Sequence, residues 1–336
     1  MVKITDVARR AGVSPSTVSY ALSGKRPISR ETRLRVEAAV RELGYRPHAG
    51  ARALAGSRSN VLALVAPLRA GTHVPVVMQF AVSVVTTARR YDHDVLLLTQ
   101  EEGEEALRRV ADTALVDALI VMDVGLQDPR LPLLRSLGRP SVLIGLPAEP
   151  AGLTCVDLDF RAAGEVCVEH LARLGHRVVA LVGSPPEVYV RRTSYARRLV
   201  QGFTAAADRH GLFCAVHPCG TGPGAARRIA ERLLREQPAL TGVVVHNEPL
   251  LEPLIDAFEQ LGRRVPGDLS VTAVCPGELA ASLRVPVTSV ALPSAEVGER
   301  AVELLMGKLG GTAVPEATLL APRLTRRAST ARRAPA

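Results

Sequence analysis

Apolar residues along this chain recur with two different periods, and the change falls near residue 60. Before it, they recur every three or four positions, which is typical of helices that pack through one face. After it, short runs rich in β-branched residues, such as 61–65 and 178–182, alternate with longer helical stretches. This alternation predicts parallel sheets covered by helices on both faces. It continues for longer than one sheet normally needs, so we expect two lobes.

Three capped helices are predicted in the first 45 residues. Thr5, Ser14 and Ser29 are suitable N-caps for the first, second and third helix, and Gly12 ends the first. Leu22, on the second helix, should face the first. Two short helices joined by a tight turn that contains glycine form a helix-turn-helix, whose second helix enters the DNA major groove.

Positive charge is concentrated in the same region. Residues 1–58 hold twelve Lys or Arg and four acids, which gives +8 of the formal net charge of +9 carried by all 336 residues. The alternative, an ordinary helical hairpin with solvated serines, does not account for this concentration. Basic residues beside small hydroxyl side chains suit phosphate oxygens and base edges. The region is therefore predicted to bind double-stranded DNA.

Several function classes are excluded by what the sequence lacks. Its apolar runs are far shorter than the roughly 18 residues that span a bilayer, and its first helix is polar and capped, unlike a signal sequence. We therefore expect a cytoplasmic protein. The five cysteines include no C-x-x-C pair, so neither a disulfide framework nor a metal site is expected, and no cofactor.

One glycine-rich stretch, Gly220 to Gly224, looks like a phosphate-binding loop. It lacks the Gly-Lys-Ser/Thr ending, and Pro223 removes an N–H that such a loop needs, so we interpret it as a turn. The histidines have no metalloprotease spacing, and no Ser, His and acid form a hydrolase elbow. The sequence therefore predicts no enzyme activity.

Short motifs spaced along nearly the whole chain resemble those of the LacI/GalR repressor family. They are Asp6-Val7-Ala8, Ala11-Gly12-Val13-Ser14, Thr17-Val18-Ser19, Leu43-Gly44-Tyr45-Arg46-Pro47, Ala51-Arg52-x-Leu54, Glu169-His170-Leu171, Leu174-Gly175-His176-Arg177 and Val265-Pro266-x-Asp268-Leu269-Ser270-Val271. The resemblance implies two periplasmic-binding-protein-like lobes joined by three crossovers, dimerisation through the core and a ligand cleft between the lobes.

The fold class expected is a small all-α helix-turn-helix domain followed by an α/β core of two parallel-sheet lobes. The expected boundaries are 1–46 for the DNA-binding domain, 47–58 for a hinge helix or linker, 59–159 with 290–317 for the core N-lobe, 160–289 with 318–325 for the core C-lobe, and 326–336 for a disordered tail.

The expected function is that of a ligand-responsive transcriptional regulator, a repressor that binds a palindromic operator as a homodimer. A small-molecule effector, a sugar or a small anion, is expected between the core lobes. One alternative is a DNA-binding regulator without small-molecule control. Two others, a solute-binding protein of the same core fold and an enzyme with an added DNA-binding head, are opposed by the basic helix-turn-helix and by the absent phosphate loop.

The resemblance and the outward face of the helices give a set of candidate DNA contacts. They are Thr5, Ser14, Pro15, Ser16, Thr17, Ser19, Tyr20, Ser23, Lys25, Arg30, Thr32, Tyr45, His48, Arg52 and Leu54. Relatives usually carry Arg where this chain has Tyr20, and Tyr cannot bond a guanine bidentately as Arg does. Operator preference should therefore differ, unless Tyr20 packs on the sugar-phosphate backbone. In the resemblance, Leu54 enters the minor groove and opens the central base step.

The expected effector cleft departs further from the family. Its relatives carry Phe-Asp-Asp where this chain has Val274-Cys275-Pro276, and Ala-Asn-Asp where it has His246-Asn247-Glu248. With 3% aromatic residues, the chain should offer few stacking surfaces for a sugar ring. A cleft with added Arg and lost Asp would suit an anionic ligand. The alternative is that the added arginines are surface residues of an Arg-rich chain. The candidate effector contacts are Arg69, Arg197, Arg198, Asn247 and Cys275.

Overall fold

The computed structural model describes residues 2–23, 26–45, 58–99, 104–112 and 115–333. Its first part consists of three helices, α1 (Ile4–Ala11), α2 (Pro15–Ser23) and α3 (Arg30–Leu43). Gly12 and Gly44 follow α1 and α3 with φ angles of 66° and 61°. Only glycine adopts this left-handed conformation without a steric cost, so the two helices end there.

The helical region closes around a small apolar core. Val7, Val18 and Val36, one from each helix, are fully buried. Leu22 was expected to join them but is 41% exposed, so the packed face of α2 is shorter than the periodicity predicts. Thr5 is not the N-cap of α1, because the helix begins at Ile4 and its N-cap is Lys3. The N–H of Lys3 donates to the Asp6 carboxylate at 2.8 Å.

The N-lobe is built on one six-stranded parallel sheet in the order β11-β5-β4-β3-β1-β2. Its elements before the first crossover are β1 (Val61–Val65), α4 (Val74–Arg90), β2 (Asp94–Leu98), α5 (Glu104–Asp112), β3 (Ala118–Val121), α6 (Arg130–Ser136), β4 (Ser141–Ile144) and β5 (Thr154–Leu158). The central strands β3 and β4 are buried throughout, as expected for apolar runs with helices on both sides.

The C-lobe contains the second six-stranded sheet, in the order β12-β10-β9-β8-β6-β7, with only the short β12 antiparallel. Its elements are α7 (Phe160–Arg173), β6 (Val178–Gly183), α8 (Pro186–Val190), α9 (Ser194–Arg209), β7 (Phe213–Pro218), α10 (Ala225–Glu236), β8 (Gly242–Val245), a 3₁₀ turn (Glu248–Leu250), α11 (Leu251–Gln260), β9 (Ser270–Cys275), α12 (Gly277–Ser282) and β10 (Thr288–Ala291). The expected fold class is confirmed.

The chain crosses between the lobes three times, after β5, after β10 and before β12. The last elements are α13 (Ser294–Leu309), β11 (Ala317–Leu320) and β12 (Leu324–Thr325). Two expected boundaries shift. β10 stays in the C-lobe sheet through Ala291, and β11 belongs to the N-lobe through Leu320, because it pairs residue by residue with β5.

Residues 326–333 pack on the C-lobe, so the expected disordered tail is wrong for them. The Ser329 side chain is fully buried. Its hydroxyl accepts from the N–H of Thr288 at 2.8 Å and donates to the carbonyl of Val271 at 2.6 Å. The N–H of Arg333 donates to the carbonyl of Leu174 at 2.8 Å. Backbone and hydroxyl hydrogen bonds hold the segment without any apolar periodicity that a pattern could reveal.

Candidate functional site

The exposed side of α2 carries a cluster of hydroxyl groups. The Ser14 oxygen accepts from the N–H of Thr17 at 3.1 Å, which confirms Ser14 as the N-cap. The same oxygen lies 2.8 Å from the hydroxyls of both Ser16 and Thr17. These groups are therefore oriented by one another at the start of the helix that is expected to enter the groove.

The far end of α2 carries an aromatic ring with an arginine on it. The Arg26 guanidinium carbon lies 5.2 Å from the centre of the Tyr20 ring, within the range of a cation–π contact. Tyr20 is half-buried and Arg26 is exposed. Arg26, which was not among the candidate DNA contacts, is thus held beside the position of Tyr20.

Some polar groups in this region brace the fold. Arg10 on α1 and Glu42 on α3 form an ion pair at 2.7 Å, which ties the two helices together. The Ser29 oxygen accepts from the N–H of Thr32 at 3.2 Å and confirms Ser29 as the N-cap of α3. Because Ser29 also donates to the Thr32 hydroxyl at 2.8 Å, that hydroxyl is oriented before any contact with DNA.

A cavity of about 260 Å³ lies between the two lobes of the core. Most of its lining comes from segments that follow the carboxyl ends of parallel strands in both sheets, where α/β proteins bind their ligands. The lining includes Ala66, Pro67, Thr72, His73, Val76, Phe80, Met122, Asp123, Ile144, Asp157, Phe160, Ser184, Tyr195, Thr221, His246, Asn247, Glu248 and Leu292.

Aromatic rings form one wall of the cavity. The rings of Phe160, Tyr195 and His246 lie 5.5 to 5.7 Å apart, with Tyr195 and His246 edge to face. Phe80 also lines the cavity. Three of the ten Phe and Tyr residues in the chain therefore meet here. The expectation that stacking surfaces would be scarce is wrong for the cavity, because the few aromatic residues are gathered in it.

Three carboxylates line the cavity, on Asp123, Asp157 and Glu248, and none of its described lining residues is Lys or Arg. Asp123 pairs with Arg69 at 3.0 Å, and Glu248 lies 3.7 Å from the Nδ1 of His73. These carboxylates would repel a small anion, and no Lys or Arg of the described lining would attract it. The expected anionic ligand therefore does not fit the lining.

Asp157 is the most perturbed of these groups. Burial raises the pKa of its carboxyl to about 7, opposed by Arg198, whose Nη1 lies 3.7 Å away, and by the N–H of Leu158, which donates at 2.9 Å. The second carboxylate oxygen has no hydrogen-bond partner within the described part of the chain. A buried acceptor left in this state is open to a donor from a ligand.

His246 and Glu248 flank Asn247, and only Glu248 is charged at neutral pH. Burial lowers the pKa of His246, against the attraction of Glu248, so that its ring is neutral. Burial alone would raise the pKa of Glu248, but His73 and His246 beside it and its own backbone N–H hold that pKa below its usual range. The Glu248 carboxylate is therefore ionised.

The lobes also bond to each other beside the cavity. The N–H of Ser194 donates to the carbonyl of Val124 at 2.9 Å, and the N–H of Leu126 donates to the carbonyl of Arg192 at 3.0 Å. Each bond joins a C-lobe residue to an N-lobe residue. The two lobes are thus held close together along one side of the cavity.

Known proteins match the chain over both regions. The description of the lacI family of bacterial regulatory proteins matches residues 3–48, and that of a periplasmic binding protein-like domain matches residues 168–330. The chain is similar to the HTH-type transcriptional regulator AglR of Rhizobium meliloti, with 31% identity over 98% of this chain and 94% of that protein. The chain belongs to the LacI family. It is a DNA-binding transcriptional regulator, as the sequence predicts.

Two further similarities span both regions. The ribose operon repressor of Escherichia coli K12 is 26% identical over 92% of this chain and 93% of that protein. The structure of the lac repressor dimer bound to operator and an anti-inducer superposes with a TM-score of 0.80 and 24% identity, covering 98% of this chain and 99% of that one. The LacI-family fold therefore extends over helix-turn-helix and core together.

Of the five predicted effector contacts of this LacI-family chain, only Asn247 lines the cavity, and its amide donates to the carbonyls of Gly183 and Cys219. Cys275 is buried in the C-lobe core and does not reach the cavity. Arg197 donates to the carbonyl of Tyr189. Arg69 and Arg198 lie behind the lining and pair with its carboxylates.

Sequence reasoning missed Asp157, Tyr195 and His73, and it treated Glu248 only as a departure from a motif. The signal for Glu248 was present, since an acid beside the family's Asn was visible in His246-Asn247-Glu248. No local pattern marks Asp157 or Tyr195.

The predicted DNA contacts of this LacI-family chain are mostly on exposed or half-exposed positions of α2 and α3. Tyr45 is mostly buried in the helical core, and its contact with DNA stays a prediction. Lys25, His48, Arg52 and Leu54 lie outside the described residues, as does the side chain of Ser23. No helix in the described ranges is long and apolar enough to cross a membrane.

Proposed function

We propose that this LacI-family regulator is a repressor that binds a palindromic operator as a homodimer and responds to a hydroxyl-rich effector in the interlobe cavity. The observation that carries this is the cavity itself, whose buried Asp157 has an acceptor oxygen without a partner in the described chain. Two similar proteins are named for this kind of control, a ribose operon repressor and a lac repressor dimer bound to operator and anti-inducer.

Dimerisation is supported by apolar side chains left exposed on both lobes. On the N-lobe these are Val82, Val85, Leu96 and Leu97, and on the C-lobe Phe213. Exposed apolar groups of this size on both lobes fit a face that a second copy of the chain covers. Two-fold symmetry of the dimer would require two half-sites related by the same symmetry in the operator.

For the DNA contacts, we propose that the Ser14, Ser16 and Thr17 hydroxyls contact the half-site and that Tyr20 and Arg26 contact it as a stacked pair. The support is the 5.2 Å contact between Tyr20 and Arg26, which holds a guanidinium beside the position where relatives carry Arg. An arginine there could bond a guanine that Tyr20 itself cannot bond bidentately.

The effector is proposed to be rich in hydroxyl groups. Carboxylates, Ser and Thr hydroxyls and aromatic faces are complementary to the donors and the apolar face of a sugar-like molecule. The same lining disfavours an anion. A regulator without small-molecule control would have no use for buried, unpartnered polar atoms around an interlobe cavity.

Selection of binding sites from random DNA, followed by titration of the selected operator with hexoses, tests this proposal. We expect two half-sites with dyad symmetry, and release or tightening of the operator by at least one hexose. Tyr20→Arg should change the preferred half-site bases, while Arg35→Ala, on the exposed side of α3, should not. An asymmetric single site, or the same site selected by the parent and by Tyr20→Arg, would contradict the corresponding part of the proposal.

A further inference from the structure

Among the described residues, the arginines are shared unevenly by the carboxylates around the cavity. Asp123 is offset by Arg69 at 3.0 Å. Arg198, by contrast, is shared by two carboxylates, with Asp157 at 3.7 Å and Asp159 at 3.2 Å. One arginine thus serves two aspartates, so the charge that Asp157 carries when it ionises is only partly offset by Arg198.

Glu248 is a further carboxylate of the lining, and it is ionised. Its nearest titratable neighbours are His73, 3.7 Å from the carboxylate, and His246, whose ring is neutral at pH 7. Among the described residues that line the cavity, three carry a carboxylate and none is Lys or Arg. The cavity is therefore electrostatically suited to a positively charged group.

Arg191 and Arg197 stand outside the lining, and their guanidinium groups are bonded to backbone carbonyls. The Arg191 guanidinium donates to the carbonyl of Ala70 at 2.8 Å, and that of Arg197 donates to the carbonyl of Tyr189 at 3.0 Å. Neither arginine lines the cavity. A bond to a neutral carbonyl leaves each arginine charged, but neither guanidinium donates a hydrogen bond to Asp157 or Glu248.

Two buried polar atoms of the lining also lack partners. They are the second carboxylate oxygen of Asp157 and the Nδ1 of His246, each on a residue that is 6% exposed. Neither has a hydrogen-bond partner among the residues that the structure describes. Because leaving such atoms unpaired is costly, a ligand that donates to Asp157 would recover that free energy.

The aromatic wall supplies the remaining element of a site for a cation. The ring centres of Phe160, Tyr195 and His246 lie 5.5 to 5.7 Å apart, and all three residues line the cavity. The faces of such rings attract ammonium groups, and the attraction grows when both partners are removed from water.

We propose that the effector of this regulator is a hydroxylated molecule that carries a protonated amine, with the ammonium group beside Glu248 and Asp157 against the Phe160 and Tyr195 rings. The inference rests on the proposed function, because it assumes that this cavity holds the effector. It narrows the ligand from hydroxyl-rich molecules in general to aminated ones.

The protonation state of Asp157 gives the proposal a direct signature. With a pKa of about 7, its carboxyl is roughly half protonated at neutral pH. An ammonium group nearby would favour the ionised form, so binding should release a proton from Asp157. A neutral sugar whose oxygen accepts a hydrogen bond from the protonated carboxyl would not release the proton.

The test uses the full chain and three matched series of probes, in which glucosamine, galactosamine and mannosamine are each compared with the parent hexose and the N-acetyl derivative. Thermal unfolding at probe concentrations of about 20 mM finds the series that binds, since a ligand stabilises the folded state that it binds. Calorimetry in two buffers of different ionisation enthalpy then measures affinity and proton release.

We expect the amine to bind roughly tenfold more tightly than its neutral partners in at least one series, with release of a proton. Glu248→Gln keeps the shape of the side chain and removes its charge, so it should abolish the preference for the amine. Glu252→Gln, at an exposed position on α11, is the matched control and should leave the preference intact.

Equal or tighter binding of the neutral partner overturns the proposal, and so does a preference for the amine that survives in Glu248→Gln. A lack of any thermal shift with all three amines overturns it as well. The proposed function is judged separately, by operator binding of the same preparation and by whether a neutral hexose changes it.

Discussion

Two aspartates near opposite ends of the parallel strands of the N-lobe sheet are almost equally buried and differ in their hydrogen bonds. Asp117 stands just before β3, where residues 58–60 enter the core, and accepts from the N–H and hydroxyl of Ser59 and from the N–H of Asn60, at 2.8 to 3.0 Å. Asp157 lies on β5 at the cavity and accepts one bond, from Leu158. Their exposed fractions are 7% and 6%.

The comparison separates a structural group from a binding group. Burial removes water from both carboxylates, but three hydrogen-bond donors of the protein replace that water at Asp117. Asp157 keeps one oxygen unpartnered within the described chain, and its pKa is raised to about 7 because of the burial. A buried carboxylate oxygen that the fold leaves without a hydrogen-bond donor, at the carboxyl ends of the strands, can accept a hydrogen bond from a ligand.

Replacing Asp117 should have the largest effect. We expect Asp117→Ala to lower the free energy of unfolding by about 3 kcal/mol, because it leaves the N–H and the hydroxyl of the buried Ser59 without an acceptor. Urea unfolding followed by circular dichroism measures it. Asp208→Ala, at an exposed position on α9, is the control. A loss below about 1 kcal/mol would show that water replaces the carboxylate.

Replacing Asp157 should instead stabilise the protein in alkaline solution. The folded pKa is raised above its ordinary value of 3.8, so the stability that this group contributes is fully present below about pH 4 and is lost as the pH rises to about 7. Asp157→Asn cannot ionise. We expect it to gain about 2 kcal/mol over the parent at pH 8, and we expect that gain to shrink as the pH falls to 5.

Unfolding at a series of pH values measures the gain in stability of Asp157→Asn. Operator release by the effector measures whether the variant has lost its response to the effector. If Asp157 is a binding group, the variant should be more stable at pH 8 and less responsive to the effector. A variant that is less stable than the parent at pH 8 would place Asp157 in the same class as Asp117.

The outcome for these residues shows what sequence patterns could and could not predict. The caps Ser14 and Ser29 were predicted, because a cap is decided by residues within one turn of it. The strand Val61–Val65 was predicted from its composition. The pairing of Asp157 with Arg198 was not, since it joins β5 of one lobe to α9 of the other, and no local pattern decides which side chains meet there.

The same reasoning explains the arginines. Arg69 and Arg198 were predicted to contact a ligand because they stand near motif positions that relatives use, and the structure brings both close to the cavity. What the sequence could not tell is that each is already paired with a carboxylate of the lining. The charge that the cavity presents is thus opposite to the one that counting arginines suggested.

Asp123 should give an intermediate result. It lines the cavity like Asp157, but it pairs with Arg69 at 3.0 Å, so its charge is offset by the fold. We expect Asp123→Asn to cost about 1 kcal/mol, because the amide oxygen still accepts a hydrogen bond and only the charge is lost. Urea unfolding at pH 7 measures it, and a cost as large as that of Asp117→Ala would contradict this ranking.

The smallest effect is expected at Asp94, an aspartate of the same sheet that stays in water. Its side chain is 71% exposed, and the facing Arg89, 3.3 Å away, is similarly exposed. Solvent screens such a pair, and holding two mobile side chains together costs conformational entropy. Asp94→Asn should change the free energy of unfolding by less than about 0.5 kcal/mol, at low and at high salt alike. A loss above about 1 kcal/mol that disappears in high salt would mean that exposed charges at this edge stabilise the sheet. Burial alone would then not rank the effects of replacing Asp117, Asp123 and Asp94.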